Sequence, residues 1–212
     1  MIKSVFLTKF NEHGTIDCYK ARLVAQRYVQ IPRLDFEETF FPVVFTKTIR
    51  VIILSTPITL KWMMRQFDMK NASLHGKLME TVYIEQPLAL QIQNFQIMCK
   101  LNKSIYGLKQ APRAWFESVS RYLFKLNFKC SKANPSLFIL HEQNSVTLML
   151  VYVDDIIITG NNGSIIKRLI KVLSKEFALK DLGQLRFFLG FEIQPFHDGA
   201  FISQTKHTKN LL

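Results

Sequence analysis

Two adjacent carboxylates, Asp154 and Asp155, interrupt the run Leu148-Met149-Leu150-Val151-Tyr152-Val153-Asp154-Asp155-Ile156-Ile157-Ile158-Thr159-Gly160, which carries no other charge. Ionised carboxylates beside so much apolar surface are unfavourable unless a cation or a dense set of donors compensates them. A divalent metal does that well. Ordinary turn chemistry competes with this explanation, because Asp is favoured in turns for its local hydrogen bonds. Here the flanks are β-branched and no Gly directly follows the pair, so the bend is not a simple Asp-Gly hairpin. A third acid, Asp68, sits in Trp62-Met63-Met64-Arg65-Gln66-Phe67-Asp68-Met69-Lys70-Asn71-Ala72, another apolar-leaning run. If the two segments are neighbouring strands, three carboxylates meet at one end of a sheet. Such a set can hold two Mg²⁺ ions about 3.5–4 Å apart, one activating an attacking oxygen and one steadying a leaving phosphate. That is phosphoryl-transfer chemistry.

The elements that must position these acids can be read from periodicity. Ser4 to Lys9 and Thr15 to Val29 are expected strands joined by a turn at Asn11-Glu12-His13-Gly14. Along the second strand Lys20, Arg22 and Gln26 share one face, and Tyr19, Ala21, Leu23 and Ala25 the other. Thr48 to Ser55 reads as a buried helix, with Pro57 after it; an interior Pro costs about 3 kcal/mol through a lost hydrogen bond and a clash. Met98 to Leu101 is a short strand leading to Ser104-Ile105-Tyr106-Gly107-Leu108-Lys109-Gln110-Ala111-Pro112. Gly107 permits close approach of the backbone to a ligand, and Pro112 suits the first turn of a helix. On that helix Trp115, Val119, Tyr122, Leu123 and Leu126 recur at helical spacing and define a core face.

Further on, Leu137 to His141 and Ser145 to Val153 form a strand pair leading to the two acids. Asn161-Asn162-Gly163-Ser164 is a turn with a helix N-cap, followed by an amphipathic helix bearing Ile165, Ile166, Leu169, Val172, Leu173 and Phe177. Leu185 to Ile193 and Ala200 to Ser203 are expected to form a hairpin turned at His197-Asp198-Gly199, and a helix starts at Thr205.

Composition narrows the class of protein. With 212 residues, 48% hydrophobic and 12% aromatic, the chain has ample material for a core and is not disordered. A formal charge of +12, pI ≈ 9.7, with Lys and Arg dispersed rather than in one run, points to an anionic partner tracked along a groove. Cys18, Cys99 and Cys130 are odd in number and far apart, which indicates neither a zinc site nor a disulfide framework, and suits an intracellular, reducing setting. No uninterrupted apolar run is long enough to span a bilayer.

The chain resembles the reverse transcriptase domain of copia-type (Ty1/copia) retrotransposons over nearly all its length. The residues that carry the resemblance are Tyr19 to Ala25, Glu38-Thr39-Phe40, Pro42-Val43-Val44, Asp68 to Ala72 with Leu74-His75-Gly76, Ser104 to Phe116, Tyr152 to Asp155, and Leu182-Gly183 with Phe188-Leu189-Gly190. The resemblance implies an α+β right-hand polymerase: an antiparallel palm sheet with helices on one face (about 61–74 and 111–204) and fingers (mainly 1–60 and part of 75–110). Residues 205–212 would open a thumb helix, and the rest of the thumb, with any protease, integrase or RNase H segment, is expected to be missing from a single 212-residue domain.

By the same resemblance Asp68, Asp154 and Asp155 are catalytic and hold two Mg²⁺ ions, for which Mn²⁺ can substitute, with the backbone carbonyl of Met69 as a further ligand. Lys20, Arg22, Ser73, Tyr106, Gly107, Lys109 and Gln110 would meet the incoming nucleotide, and Tyr152, Leu189 and Gly190 the primer and template. The expected partners are an RNA or DNA template-primer and dNTPs, in the cytoplasm or nucleus. Several positions depart from the family pattern. Ser73 stands where the family has an aromatic ring that blocks a ribonucleotide 2′-hydroxyl, so weakened discrimination is expected. Arg27 replaces Gly, Phe41 a small polar residue, Pro87-Leu88-Ala89 replaces Pro-Pro-Gly, and Pro57 interrupts an Ala-rich helix. Two functions follow: an RNA-directed DNA polymerase domain, or a catalytically defective relic that acts at most as a basic nucleic-acid-binding fragment.

Overall fold

Strand β9 (Asp155–Gly160) has the longest unbroken run of buried residues among the described strands, including Ile156, Ile157 and Ile158. Burial on both faces requires a central position in a sheet, and β9 has one. In the computed structural model, which describes residues 2–11, 13–42, 59–87, 97–196 and 199–204, it pairs on one side with β3 (Met63–Met69) and on the other with β8 (Ser145–Tyr152). The full sheet has the order β10-β3-β9-β8-β7-β6, adding β10 (Leu179–Gln184), β7 (Leu137–Glu142) and β6 (Lys129–Cys130), and every pairing is antiparallel. The class is α+β.

The chain divides into two compact units, Met1–Phe41 with Ala72–Ser120, and Pro42–Asn71 with Arg121–Leu212. The second contains the six-stranded sheet. It also contains helix α2 (Gly163–Glu176), which buries Ile166, Leu169 and Leu173 and starts where the Asn162 side chain accepts hydrogen bonds from the Ser164 and Ile165 amides. A three-stranded sheet completes it: β11 (Phe187–Phe188), β12 (Phe191–Phe196) and β13 (Gly199–Ser203). Leu185, Phe188 and Ile193 from this region pack with Leu137, Leu150 and Ile157 of the large sheet.

The first unit contains the hairpin of β1 (Ile2–Phe10) and β2 (Ile16–Ala25), the pair β4 (Tyr83–Glu85) and β5 (Met98–Lys100), and a cluster of Ala25, Val82, Leu108 and Ala111. Helix α1 (Ala111–Lys125) begins in this unit, with Pro112 in its first turn, and ends in the other. Its Trp115, Val119 and Leu123 are buried, as their spacing predicts. Asn127, at φ 64°, closes it through bonds from Asn127 N–H to Phe124 O and from Phe128 N–H to Leu123 O, a left-handed helix stop that Asn tolerates.

Two expectations are corrected. The strand expected over 15–29 ends at Ala25, because its partner β1 runs out at Ile2; Arg27–Val29 then makes a 3₁₀ turn. The single strand expected over Leu185 to Ile193 is two strands, since Leu189 (φ 48°) and Gly190 (φ 83°) turn the chain between Phe188 and its cross-strand partner Phe191. Positive φ at both central residues is the hairpin turn that matches strand twist. β10 was not foreseen at all. The expected helix at 48–55, Pro57, Val43-Val44, Leu88-Ala89, the turn at His197-Asp198 and the helix start at 205–212 lie outside the described residues.

Candidate active site on the six-stranded sheet

Register, rather than sequence proximity, brings the acids together. Asp68 near the end of β3 is the direct cross-strand partner of Asp155 at the start of β9, and Asp155 is in turn the partner of Tyr152 at the end of β8. Residues directly opposite one another share a face of the sheet. On the far side of Asp68 stands Lys180 of β10, so Lys180, Asp68, Asp155 and Tyr152 form one row across four strands. The Met69 amide donates to the carbonyl of Asp154 at 2.7 Å, which ties the end of β3 to the hairpin tip.

That tip is short. With Tyr152 and Asp155 paired, only Val153 and Asp154 remain in the loop, and Val153 takes φ 51°. Positive φ at the first central position is usually assigned to Gly, and holding a β-branched residue there costs about 1–3 kcal/mol. The two acids consequently differ in setting: Asp154 is exposed on the turn, and Asp155 is half-buried on the strand.

Burial pushes the Asp155 carboxyl above its ordinary pKa; a hydrogen bond from Gln66 opposes this, and the charges of Asp154 and Asp68 add to it. The Gln66 amide Nε2 donates to Asp155 Oδ1 at 3.3 Å. An all-oxygen set of mutually repelling acids fits a hard divalent cation. Among the described residues no three acid, His or Cys side chains are gathered closely enough to hold a metal ion as they stand.

The residues expected on the primer side lie in the same unit. Tyr152 meets the Phe188 ring edge-on at 6.2 Å between centroids, and both Tyr152 and Leu189 pack against the cluster containing Phe188. Leu189 and Gly190 form the hairpin tip directly after it.

All seven residues expected to meet the nucleotide lie in the first unit, where several are engaged internally. The Arg22 guanidinium lies 5.1 Å from the Tyr106 ring centre. Gly107, at φ 86°, sits where an added Cβ would come within 2.2 Å of the Ala25 carbonyl, so its close approach is to β2 itself; the Ala25 amide donates to Tyr106 O nearby. Gln110 is 1% exposed, accepts from Gln30 Nε2 at 3.0 Å and donates to Asp35 O at 2.9 Å. The Lys109 ammonium donates to Gln30 O at 3.3 Å and lies over the Phe36 ring. Ser73 is half-buried in the 3₁₀ turn Ala72–His75, its carbonyl accepting from the Ser104 hydroxyl. Lys20 is half-buried opposite Leu7. Arg113 holds Glu38 at 2.9 Å and Glu117 at 2.8 Å. A cleft of about 350 Å³ beside Arg33, Phe36, Glu80 and Arg113 is lined by none of the candidate residues.

Gln66 and Lys180 were missed by sequence reasoning. For Gln66 a signal existed: it lies two residues before Asp68, on the same strand face. Lys180 had none, because β10 carries no clear alternation.

Comparison with known proteins gives one consistent result. The family described as "Reverse transcriptase (RNA-dependent DNA polymerase)" matches residues 2–212. The chain is 43% identical over 209 residues to the retrovirus-related Pol polyprotein from transposon RE2 of Arabidopsis thaliana, covering 98% of this chain and 14% of that protein. It is 36% identical over 219 residues to the corresponding polyprotein from transposon TNT 1-94 of Nicotiana tabacum, covering 100% and 16%. Against the transposon Ty1-H Gag-Pol polyprotein of Saccharomyces cerevisiae the figure is 29% over 184 residues, covering 85% and 10%. The chain therefore spans a small part of the length of the curated relatives it matches.

Proposed function

The chain belongs to the reverse transcriptase (RNA-dependent DNA polymerase) family, in its copia-type branch, and from that premise we propose that it extends a primer 3′-hydroxyl by template-directed nucleotidyl transfer. The observation that carries the proposal is the in-register pair Asp68 and Asp155 with Asp154 on the adjoining turn. In this reading the six-stranded sheet is the palm, the β1–β2 hairpin belongs to the fingers, and the tip at Leu189 and Gly190 grips the primer.

Asp68, Asp154, Asp155 and the Met69 carbonyl would hold Mg²⁺ or Mn²⁺ ions, which when bound supply Lewis acidity toward the 3′-hydroxyl and the phosphates. Tyr152, braced by Phe188, lies against the primer terminus and limits its approach to the line of attack. Lys20 and Arg22 meet the triphosphate and stabilise negative charge as pyrophosphate departs. Tyr106 orients Arg22 from beneath, and Gly107 keeps the loop tight against β2. Lys109 and Gln110 hold the 30–36 segment around the nucleotide. Ser73 leaves room for a 2′-hydroxyl; Ser73→Phe therefore raises the preference for dNTPs over rNTPs in a competition assay, and unchanged selectivity would defeat the steric explanation.

The substrates are an RNA or DNA template-primer and dNTPs, bound with the steep salt dependence of a +12 chain. An intracellular site of action, cytoplasmic or nuclear, goes with this reading. Primer extension on poly(rA) with oligo(dT) and dTTP, in Mg²⁺ and then Mn²⁺, beside Asp155→Asn, tests it. Synthesis that disappears in the variant is expected. A second reading, binding without catalysis, is favoured by the incomplete convergence of the acids; folded protein that retains the primer-template but makes no product would establish it.

A further inference from the structure

We propose that Gln66 is a positioning residue of the acidic site: its side-chain amide holds the Asp155 carboxylate in the orientation in which Asp155 and Asp68 together receive a divalent cation. This rests on the reading of those acids given above.

Gln66 stands in a cross-strand row that is otherwise apolar. Its partner on β9 is Ile157, whose partner on β8 is Leu150, whose partner on β7 is Leu137, and all three are buried. A primary amide in such a row is unfavourable unless it is hydrogen-bonded. Gln66 is only 8% exposed, and the bond it makes is to Asp155 Oδ1. Strand geometry accounts for the aim: Gln66 and Asp68 lie two residues apart on one face of β3, so Asp155, directly opposite Asp68, is diagonal to Gln66 and within reach of a long side chain. On the other flank the β10 partner is Gly183, at a bulge, where an added Cβ would meet nothing within 4 Å. No side chain at that position competes for the amide.

The bond occupies Oδ1 and leaves Oδ2 available. A carboxylate held at one oxygen keeps one rotamer, whereas a free one on a strand end samples several and must be ordered when the cation arrives. Outer residues that orient metal ligands in this way typically alter affinity about 10–100-fold when removed. The same side chain also forms the boundary between the acids and the apolar rows behind them.

Mn²⁺ titration of the full chain followed by electron paramagnetic resonance tests this directly, comparing the unaltered protein with Gln66→Met, which keeps length but has no donor. Binding about 10-fold weaker is expected in a protein whose thermal midpoint is maintained. Primer extension at saturating metal should then recover most of its kcat, with KM for dTTP unchanged. Should Gln66→Met fail to fold, Gln66→Asn, which keeps the amide but shortens its reach, gives the same comparison. A folded variant of either kind that binds Mn²⁺ within about twofold of the unaltered protein overturns the inference while leaving the acidic site standing. Absence of Mn²⁺ binding in the unaltered protein overturns both.

Discussion

The six-stranded sheet and the β1–β2 hairpin are both antiparallel, yet they treat side chains in opposite ways. In the sheet, Phe67, Ile156, Ile158 and Met149 are fully buried, and the position of each acid follows from the register that this burial enforces. In the hairpin, Phe6 is 78% and Tyr19 76% exposed, while Lys20 is half-buried. The two-residue alternation of side chains between faces is present in both. It decides orientation only where a body exists for one face to cover, and a two-stranded ribbon supplies none. Sites set by register are thus held firmly on the sheet, whereas on the ribbon exposure does not follow polarity: Phe6, Tyr19 and Arg22 are exposed and Lys20 is half-buried.

The largest test of that contrast is core truncation. Phe67→Ala should remove about 3–5 kcal/mol of stability, as for other buried Phe truncations, whereas Phe6→Ala on the ribbon should change it by about 0.5 kcal/mol or less; urea unfolding of the two variants gives the comparison, and equal losses would break it. Next comes chemistry. Asp68→Asn should lower the synthesis rate on the order of 100–1,000-fold, roughly 3–4 kcal/mol of transition-state stabilisation. Lys20→Gln should act mainly by raising KM for dTTP. Reversal of these two effects in steady-state kinetics would mean that the ribbon, not the sheet, carries the reaction.

Smaller effects sharpen the comparison at the hairpin tip. Val153→Gly relieves an unfavourable φ and should add about 1 kcal/mol after the backbone entropy of Gly is deducted, read as a higher thermal midpoint. The Asp155 carboxyl, raised in the folded protein, contributes stability that is present below its unfolded pKa and lost as pH rises through its folded pKa. Asp155→Asn escapes that loss. In metal-free buffer it should be more stable than the unaltered protein at neutral pH, with the difference vanishing below the unfolded carboxyl value of about 3.9. A difference that grows on acidification would contradict the assigned sign.

How far the sequence could be read follows the same division. The strand around Asp68, the β7–β8–β9 meander, the Asn162 cap and the buried stripe of α1 were legible because each has strong periodicity and a buried face. The pairing of Asp68 with Asp155 followed once both strands were seen to end in acids. By contrast, β10 is mostly exposed and reads Leu-Lys-Asp-Leu-Gly-Gln, so nothing in its alternation marks it as an edge strand. The break at Leu189-Gly190 lay hidden inside an apolar run, where Leu at positive φ is not anticipated. Gln110 was expected at the nucleotide; its burial and its bonds to Gln30 and Asp35 come from residues about 75–80 positions away, which local pattern cannot reveal.

The central claim is that Asp68 and the Asp154-Asp155 turn, 86 positions apart in sequence, share one cation site. Hydroxyl-radical cleavage from Fe²⁺ substituted into the folded protein tests it most directly. Cuts are predicted at both segments, 66–70 and 152–156, suppressed together by excess Mg²⁺ and lost together in Asp68→Asn. Cleavage at one segment that persists when the other is altered, or cleavage at neither, would contradict a shared site.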